Sequence, residues 1–356
     1  MTFPSLLMSP EPTPDSGEPA ISLVIPVYNG GEAFRRCLDS LRRWIHPQDL
    51  AAGRVEIIVV ADGDSDGSWR LAEEFGAQVI RLDHAGGPAR ARNIGANAAK
   101  GNILFFVDAD VEILPDTLSQ VVASFYEAPE LAALIGSYDD APGAPNFLSQ
   151  YKNLFHHYTH QTACLDASTF WGACGAIRRS VFERVGGFDE SYRKPCIEDI
   201  ELGYRLKQAG HTIHLRKDIQ VKHLKKWTPF SLLRADVFYR ALPWMALLLQ
   251  VRQAHPAQYE RFTSDLNLKW NSRISVMLVY VLLLCIAISP WFGVAGILAM
   301  AFGLALLLIN LPVYRFFRRK RGWLFALRTV PWHWLYFFYS GMAYAVTLVR
   351  HQLRHA

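Results

Sequence analysis

From position 21 onward, apolar and polar residues come in blocks of two alternating kinds. "ISLVIPVY" (21–28) and "VEIIVVAD" (55–62) are near-continuous apolar runs, stopped by the clusters "NGG" and "DGDSDGS". Runs of this length, bounded by Gly, Asn and Asp, predict strands buried on both faces. "AQVIRL" (77–82) and "NILFFVDAD" (102–110) extend the series to four. Between them the period becomes helical. "EAFRRCLDSLRRW" sets Phe34, Leu38 and Leu41 on one side, Leu71, Ala72 and Phe75 make a second stripe, and "PARARNIGANAAKG" runs to a glycine stop. This alternation predicts an α/β fold, a mostly parallel sheet wrapped by helices.

Beyond residue 225 the pattern changes. In "TPFSLLRADVFYRALPWMALLLQV" (228–251), Phe230, Leu233, Val237 and Ala241 recur at helical spacing, with Arg234, Asp236 and Arg240 elsewhere and Pro243 expected to break the helix. We read amphipathic helices lying in a headgroup zone, with core-packing helices as the alternative. "ISVMLVYVLLLCIAISPWF" (274–292) and "GVAGILAMAFGLALLLINLPVY" (293–314) carry no charge and are long enough to span a bilayer. "VPWHWLYFFYSGMAYAVTLV" (330–349) is uncharged apart from His333 and reads as a third span, or else as a helix lying in the interface. The expected organisation is a flexible leader (1–19), an α/β domain (20–225), interfacial amphipathic helices (226–272), a membrane domain (273–350) and a tail (351–356).

Charge sharpens this picture. The 356 residues carry a formal net charge of +5, concentrated in "RFFRRKRGW" (315–323) beside apolar sequence. That arrangement suits a membrane surface, and no nucleic-acid partner is expected. Lys269 and Arg273 flank the first span and the basic run follows the second, so both ends of that pair, and the α/β domain with them, are expected in the cytosol. With three spans the final "RHQLRHA" falls outside, against the rule by two arginines. The N-terminus lacks a basic region followed by an apolar core and does not read as a secretory signal. Five cysteines without a CxxC pair read as reduced thiols.

Ligands of parallel sheets bind at the carboxyl ends of strands. Asn29, Asp62 and the pair Asp108/Asp110 all fall at such ends. If residues 108–110 stay extended, the two carboxylates face one way and repel. A hard divalent cation, Mg²⁺ or Mn²⁺, would relieve that repulsion. Alone, an Asp-x-Asp is as readily a loop of solvated acids; at the end of a buried strand beside Asp62 the metal reading leads. Glu198 and Asp199 open the helix of "EDIELGYRLKQAG", where the dipole favours their ionised forms. "NFLSQYKNLFHHYTHQ" (146–161) reads equally as an acceptor groove or as a core-packing stripe of Phe147, Leu148, Tyr151 and Phe155.

Four stretches in order, "SLVIPVYNG", "VVADGDSDGS", "GPARARNIGANAAKGNILFFVDAD" and "GGFDESYRKPCIEDIELGYRLKQAG", give residues 20–225 a resemblance to the family 2 glycosyltransferases and their nucleotide-sugar-binding GT-A domain. The resemblance implies a Rossmann-like GT-A sheet. It implies a donor site with Pro26, Tyr28, Asn29 and Asp62, the latter on the nucleoside, and with Arg90 or Arg92 near the diphosphate. It implies metal ligation by Asp108 and Asp110, with His223 as a possible third ligand, and Asp199 as catalytic base with Glu198 beside it. Ala61 stands where the family's usual Asp-Asp turn has its first acid. His223-x-x-Lys226-Trp227 matches the Gln-x-x-Arg-Trp motif of processive members only at Trp227, so a polymerase is not inferred; that tryptophan is equally an interfacial anchor.

The expected function is therefore a membrane-anchored, metal-dependent, inverting glycosyltransferase. It would move a sugar from a nucleotide sugar to a polyprenyl phosphate, a glycolipid or a lipid-linked glycan at the bilayer. Two alternatives are a phosphatase of the haloacid dehalogenase type, with Asp108 as nucleophile, and a non-catalytic membrane carrier subunit with a nucleotide-binding domain. The first places its Asp-x-Asp after a first strand, whereas here the pair follows the fourth. The second lacks an intramembrane acid or lysine to mark a pathway.

Overall fold

The four apolar runs become neighbouring strands of one sheet. The computed structural model describes residues 20–254, 256 and 269–355; the expected leader and residues 257–268 of the interfacial segment lie outside them. Strands β1 (Ile21–Val27), β2 (Val55–Asp62), β3 (Gln78–Leu82) and β4 (Ile103–Val107) pair in parallel in the order β3-β2-β1-β4. β1 and β4 are buried almost throughout, while β3, the sheet's edge, is partly exposed. Helices α1 (Gly31–Trp44), α2 (Pro47–Ala51), α3 (Ser68–Phe75) and α4 (Pro88–Ala98) fill the connections. Pro88 opens α4 at a position whose amide needs no intrahelical partner.

The later half of the sheet is mixed. It comprises β5 (Val111–Ile113), β6 (Ala133–Tyr138), β7 (Cys174–Arg178) and β8 (Ile213–His223), with helices α5 (Thr117–Glu127), α6 (Phe147–Gln161), α7 (Arg179–Arg184) and α8 (Glu198–Gln208) between them. β7 runs antiparallel to β4 and β6, β8 is parallel to β6, and β5 is antiparallel to β8. The order across all eight is β3-β2-β1-β4-β7-β6-β8-β5. Residues 108–110 do not stay extended: the β4 ladder ends at Val107↔Cys174, and Val111 N–H closes a turn on Asp108 O at 3.1 Å. The chain must turn there because β5 takes a different partner from β4, pairing Val111 with His223.

The chain divides into two compact units. The first holds the sheet with residues up to Ala144 and Cys164–Lys226. The second gathers Pro145–Ala163 and the chain from Trp227 onward, so α6 belongs with the C-terminal helices. Its Tyr151 and Leu154 pack with Val313, Phe317 and Ala326. Trp227 is buried with Leu148 and Leu232 rather than displayed as an exposed anchor. After α9 (Pro229–Arg234) the helix continues through a π-helical stretch (Ala235–Ala241) into α10 (Leu242–Ala254). Pro243 therefore does not break the helix. A wider turn ahead of it absorbs its missing amide and the clash of its ring with the preceding turn.

The apolar segments form α11 (Trp270–Ile288) and α12 (Gly293–Ile309). The expected second span, 293–314, stops short. Asn310 interrupts it, and the chain bends by 62° into the basic helix α13 (Leu311–Arg321). Asn310 Nδ2 donates to Ser275 Oγ (2.9 Å) and to Leu306 O (3.0 Å), so the break has buried polar partners. The expected third segment lies inside α14 (Trp323–His355), a 33-residue helix with Pro331 within it. Among the described residues, α11 alone is long and apolar enough to cross a membrane, or α11 and the bent α12–α13 pair together.

Candidate active site

Three loops meet at the carboxyl edge of the parallel strands. After β1, Tyr28 stands 60% exposed, and Asn29 adopts φ +50°, a left-handed conformation that asparagine tolerates better than most residues. Asn29 Oδ1 accepts from Ser65 N–H at 2.8 Å, Gly30 N–H donates to Ser68 Oγ at 3.0 Å and Gly31 N–H to Asp66 Oδ2 at 3.0 Å. The turns after β1 and β2 are thus clasped by side-chain-to-backbone bonds. Pro26 lies within β1, opposite Val60.

Asp62 is buried, and both its oxygens are engaged: Oδ1 accepts from Gly86 N–H and Oδ2 from Gly87 N–H, each at 2.8 Å. Its carboxylate holds the loop that leads into α4. Arg90, on the first turn of that helix, is exposed.

Arg92, one turn further in, is buried and joins the two acidic motifs. Its Nη2 donates to Asp108 Oδ1 at 2.6 Å and its Nη1 to Glu198 Oε1 at 3.0 Å. Burial disfavours the guanidinium charge, but Asp108, Glu198 and Asp199 outweigh it and raise the pKa. Phe188 lies against the guanidinium, 5.4 Å from ring centroid to Cζ. Gly172 also lies against it: a Cβ there would come within 2.8 Å of Cζ, so a larger residue would push the buried guanidinium aside. Glu198 is fully committed, since its Oε2 accepts Cys196 N–H at 2.8 Å. Asp199, next on α8, accepts Gly172 N–H on Oδ2 (3.2 Å) and Ile200 N–H on Oδ1 (2.8 Å).

Asp110 takes a different partner. The β5–β8 register brings it beside His223, with Oδ2 3.5 Å from Nε2. Burial alone would raise its pKa; the His223 ring, then Lys225, bring it down to about 2. His223 is itself stacked on Tyr138 at 4.5 Å. The Asp108 and Asp110 side chains keep 33% and 31% of their surface open, so each offers oxygen to a ligand at the rim. Among the described residues, however, no three His, Cys, Asp or Glu side chains gather closely enough to hold a metal by themselves.

The structure therefore brings Arg92, Asp108, Glu198 and Asp199 together, sets Asp110 against His223, and gives Asp62 a loop-holding task. Sequence reasoning missed Gly172 and the Arg92–Glu198 bond. Their partners are far apart along the chain, and no local period marks them.

The candidate site is thus an α/β sheet with polar loops at its carboxyl edge, an arginine-bridged acidic turn and an acid-headed helix beside it. Residues 22–186 match the glycosyl transferase family 2 model, and this stretch of the chain is a family 2 glycosyltransferase domain. Residues 152–227 match a second model, the N-terminal domain of galactosyltransferase. Curated relatives include the probable glycosyltransferase YdaM of Bacillus subtilis, 26% identical over 215 residues, covering 55% of this chain and 48% of that protein. The validoxylamine A glucosyltransferase of Streptomyces hygroscopicus is 28% identical over 237 residues, covering 57% and 51%. The chain thus spans about half the length of these relatives. Among solved structures, the mannosyltransferase PcManGT from Pyrobaculum calidifontis, in complex with GDP-Man and Mn²⁺, is similar with a TM-score of 0.62. That match covers 92% of both chains at 19% identity, a likeness of fold.

Proposed function

We propose that the protein is a membrane-anchored inverting glycosyltransferase. It moves a sugar from a nucleotide-sugar donor to an acceptor held at the membrane, such as a polyprenyl phosphate, a glycolipid or a lipid-linked glycan. The observation that carries the reading is the buried Arg92 bridge, which ties Asp108 of the strand-end turn to the head of α8, where Asp199 lies. Donor-side and acceptor-side acids thereby share one cation. The solved mannosyltransferase of similar fold, in complex with GDP-Man and Mn²⁺, supports a nucleotide-sugar donor.

In this reading Tyr28, Asn29 and Arg90 line the donor entrance, with Pro26 and Asp62 shaping the loops behind it. Asp108 and Asp110 would hold Mg²⁺ or Mn²⁺, with His223 as a third candidate ligand and donor phosphates completing the shell. The cation would neutralise charge developing on the leaving diphosphate. Asp199, which accepts two backbone N–H bonds at a helix N-terminus, takes the proton of the attacking acceptor hydroxyl. A single in-line displacement inverts the sugar centre and needs no enzyme-bound intermediate.

The anchor rests on α11, whose most apolar stretch is only 22% buried. A core helix of a soluble protein would be mostly covered; this one shows Met277, Leu284 and Ile286 to its surroundings. The chain would thus be a multi-pass membrane protein with its sheet domain in the cytosol.

The test is nucleoside diphosphate binding by calorimetry. The unsubstituted protein should bind more tightly in Mn²⁺ than in EDTA, and Asp110→Asn should bind alike in both. Equal affinity of the unsubstituted protein in the two buffers rejects the metal-held donor. A covalent aspartyl-phosphate on Asp108 would move the assignment to the phosphatase.

A further inference from the structure

The second unit contains two kinds of helix. α11 and α12 close on each other at one end, through the Asn310–Ser275 bond, and are joined at the other by Ser289–Phe292. At that tip Trp291 and Phe292 are 75% and 65% exposed, and no charged residue occurs between Arg273 and Arg315. The base of the pair is polar and cationic. Lys269 Nζ donates to Thr162 O at 3.0 Å, and the bend after Asn310 leads straight into the arginines and lysine of α13. The two helices measure about 28 and 25 Å, close to the hydrocarbon thickness of a bilayer.

α14 behaves differently. Phe325 and Ala326, near its start, pack with α6 and α13. Trp332 joins the Leu148–Trp227–Leu232 cluster. Tyr339 donates its hydroxyl to Asp236 Oδ2 at 2.7 Å, and His351 Nε2 lies 2.6 Å from Gln253 Nε2 of α10. Its middle packs against the side of the hairpin: Phe337 is buried with Val279, Leu282 and Leu306, Tyr280 donates to Phe338 O at 2.8 Å, and Gly341 lies against Val276 and Tyr280. On either side of that crossing it touches the elements that surround the polar end of the hairpin.

Tyr339 decides what this means. It is the midpoint of 330–349, the stretch whose composition suggests a third span. If that stretch crossed a bilayer, Tyr339 would sit at the midplane. It would carry with it the Asp236–Lys152 ion pair (2.6 Å) to which it is bonded. Charged groups at that depth are strongly disfavoured, whereas at the headgroup level the pair costs little.

Building on the membrane reading above, we propose that the chain enters the bilayer only through the α11–α12 hairpin, from one face, and that α14 lies along that face against the lipid headgroups. A hairpin that enters and returns leaves both its ends on one side, and a surface-lying α14 keeps the C-terminus there too. Arg350 and Arg354 then lie on the same side as the α13 cations, which removes the conflict with the positive-inside rule that three spans create. The exposed apolar residues near its start, Trp323, Leu324 and Leu327, suit contact with the headgroup–acyl boundary.

Site-specific labelling with an impermeant, mass-tagged maleimide tests the proposal. Leu353→Cys reports the end of α14, and Glu130→Cys, exposed in the sheet unit, reports the catalytic side. Labelling is read as the increment over the unsubstituted chain, whose Cys164 is exposed. We expect both sites to stay silent in right-side-out vesicles and both to react in inverted ones. Reaction of Leu353→Cys on the face opposite Glu130→Cys would overturn the proposal and restore a third span. An alkaline carbonate wash separates the two levels of failure. Release of the chain by carbonate would reject the membrane anchor itself, whereas retention with opposite-face labelling would reject only the one-sided hairpin.

Discussion

Arg92 has three carboxylates around it, with the Phe188 ring and Gly172 close to its guanidinium. Such an arrangement is rigid, because a buried guanidinium that lost any partner would leave charge uncompensated. Asp108 and Glu198 serve that rigidity through their bonds to Arg92. Asp199 accepts a backbone N–H on each of its oxygens at the head of α8, which makes it the test of catalysis. Asp199→Asn keeps one oxygen to accept either Gly172 N–H or Ile200 N–H, so the fold should survive. Turnover should fall by ~10²–10⁴-fold with donor KM little changed, as expected for loss of a general base. Steady-state kinetics against donor and acceptor separate the two parameters. Turnover within a few-fold of the unsubstituted enzyme would reject Asp199 as the base.

At the scale of elements, α8 is held in place by closeness rather than by a cap. No side chain caps its N-terminus, yet a Cβ on Gly203 would lie 2.2 Å from Phe170 N and 2.5 Å from Thr169 C. Backbone on backbone fixes how far the helix head, with Glu198 and Asp199, stands from the sheet. Arg205 secures the other side, donating to Glu201 and to Val185 O and Gly187 O. Alanine is the better helix former by about 1 kcal/mol. Gly203→Ala should nevertheless destabilise by roughly 1–3 kcal/mol, because the neighbouring backbone cannot move aside. Urea unfolding followed by circular dichroism measures the change, and an unchanged or raised midpoint would show that α8 has room to shift.

For the whole molecule, the charge distribution carries a prediction about lipid. Arg318, Arg319 and Lys320 are exposed on α13, with Arg318 stacked over Trp323 at 4.6 Å. A basic helix at the polar end of an apolar hairpin should prefer anionic headgroups. Replacing all three by glutamine should lower the preference for anionic over neutral lipid roughly fivefold per charge, less at high salt. Fluorescent-lipid competition in nanodiscs reads this preference directly. An undiminished preference in the triple variant would assign lipid selection to another surface.

The pattern of the chain was enough to find β1, β2 and β4, since apolar runs closed by glycine and aspartate bury both faces only inside a sheet. For the same reason it located Asn29, Asp62 and Asp108 at strand ends, and it marked α11 by an uncharged length that water would not tolerate exposed. It could not say that Asp108 and Asp110 separate in a turn, one to Arg92 and the other to His223. That depends on β4 and β5 finding different partner strands, one of them more than a hundred residues away. Nor could it foresee that Asp62 spends both oxygens on backbone amides, that α6 joins the C-terminal helices, or that Asn310 folds an apolar stretch in two. Periodicity reports which face of an element avoids water. Which neighbour covers that face, and which charge meets which, is decided only when non-local elements pair, and most of this site is made of such pairs.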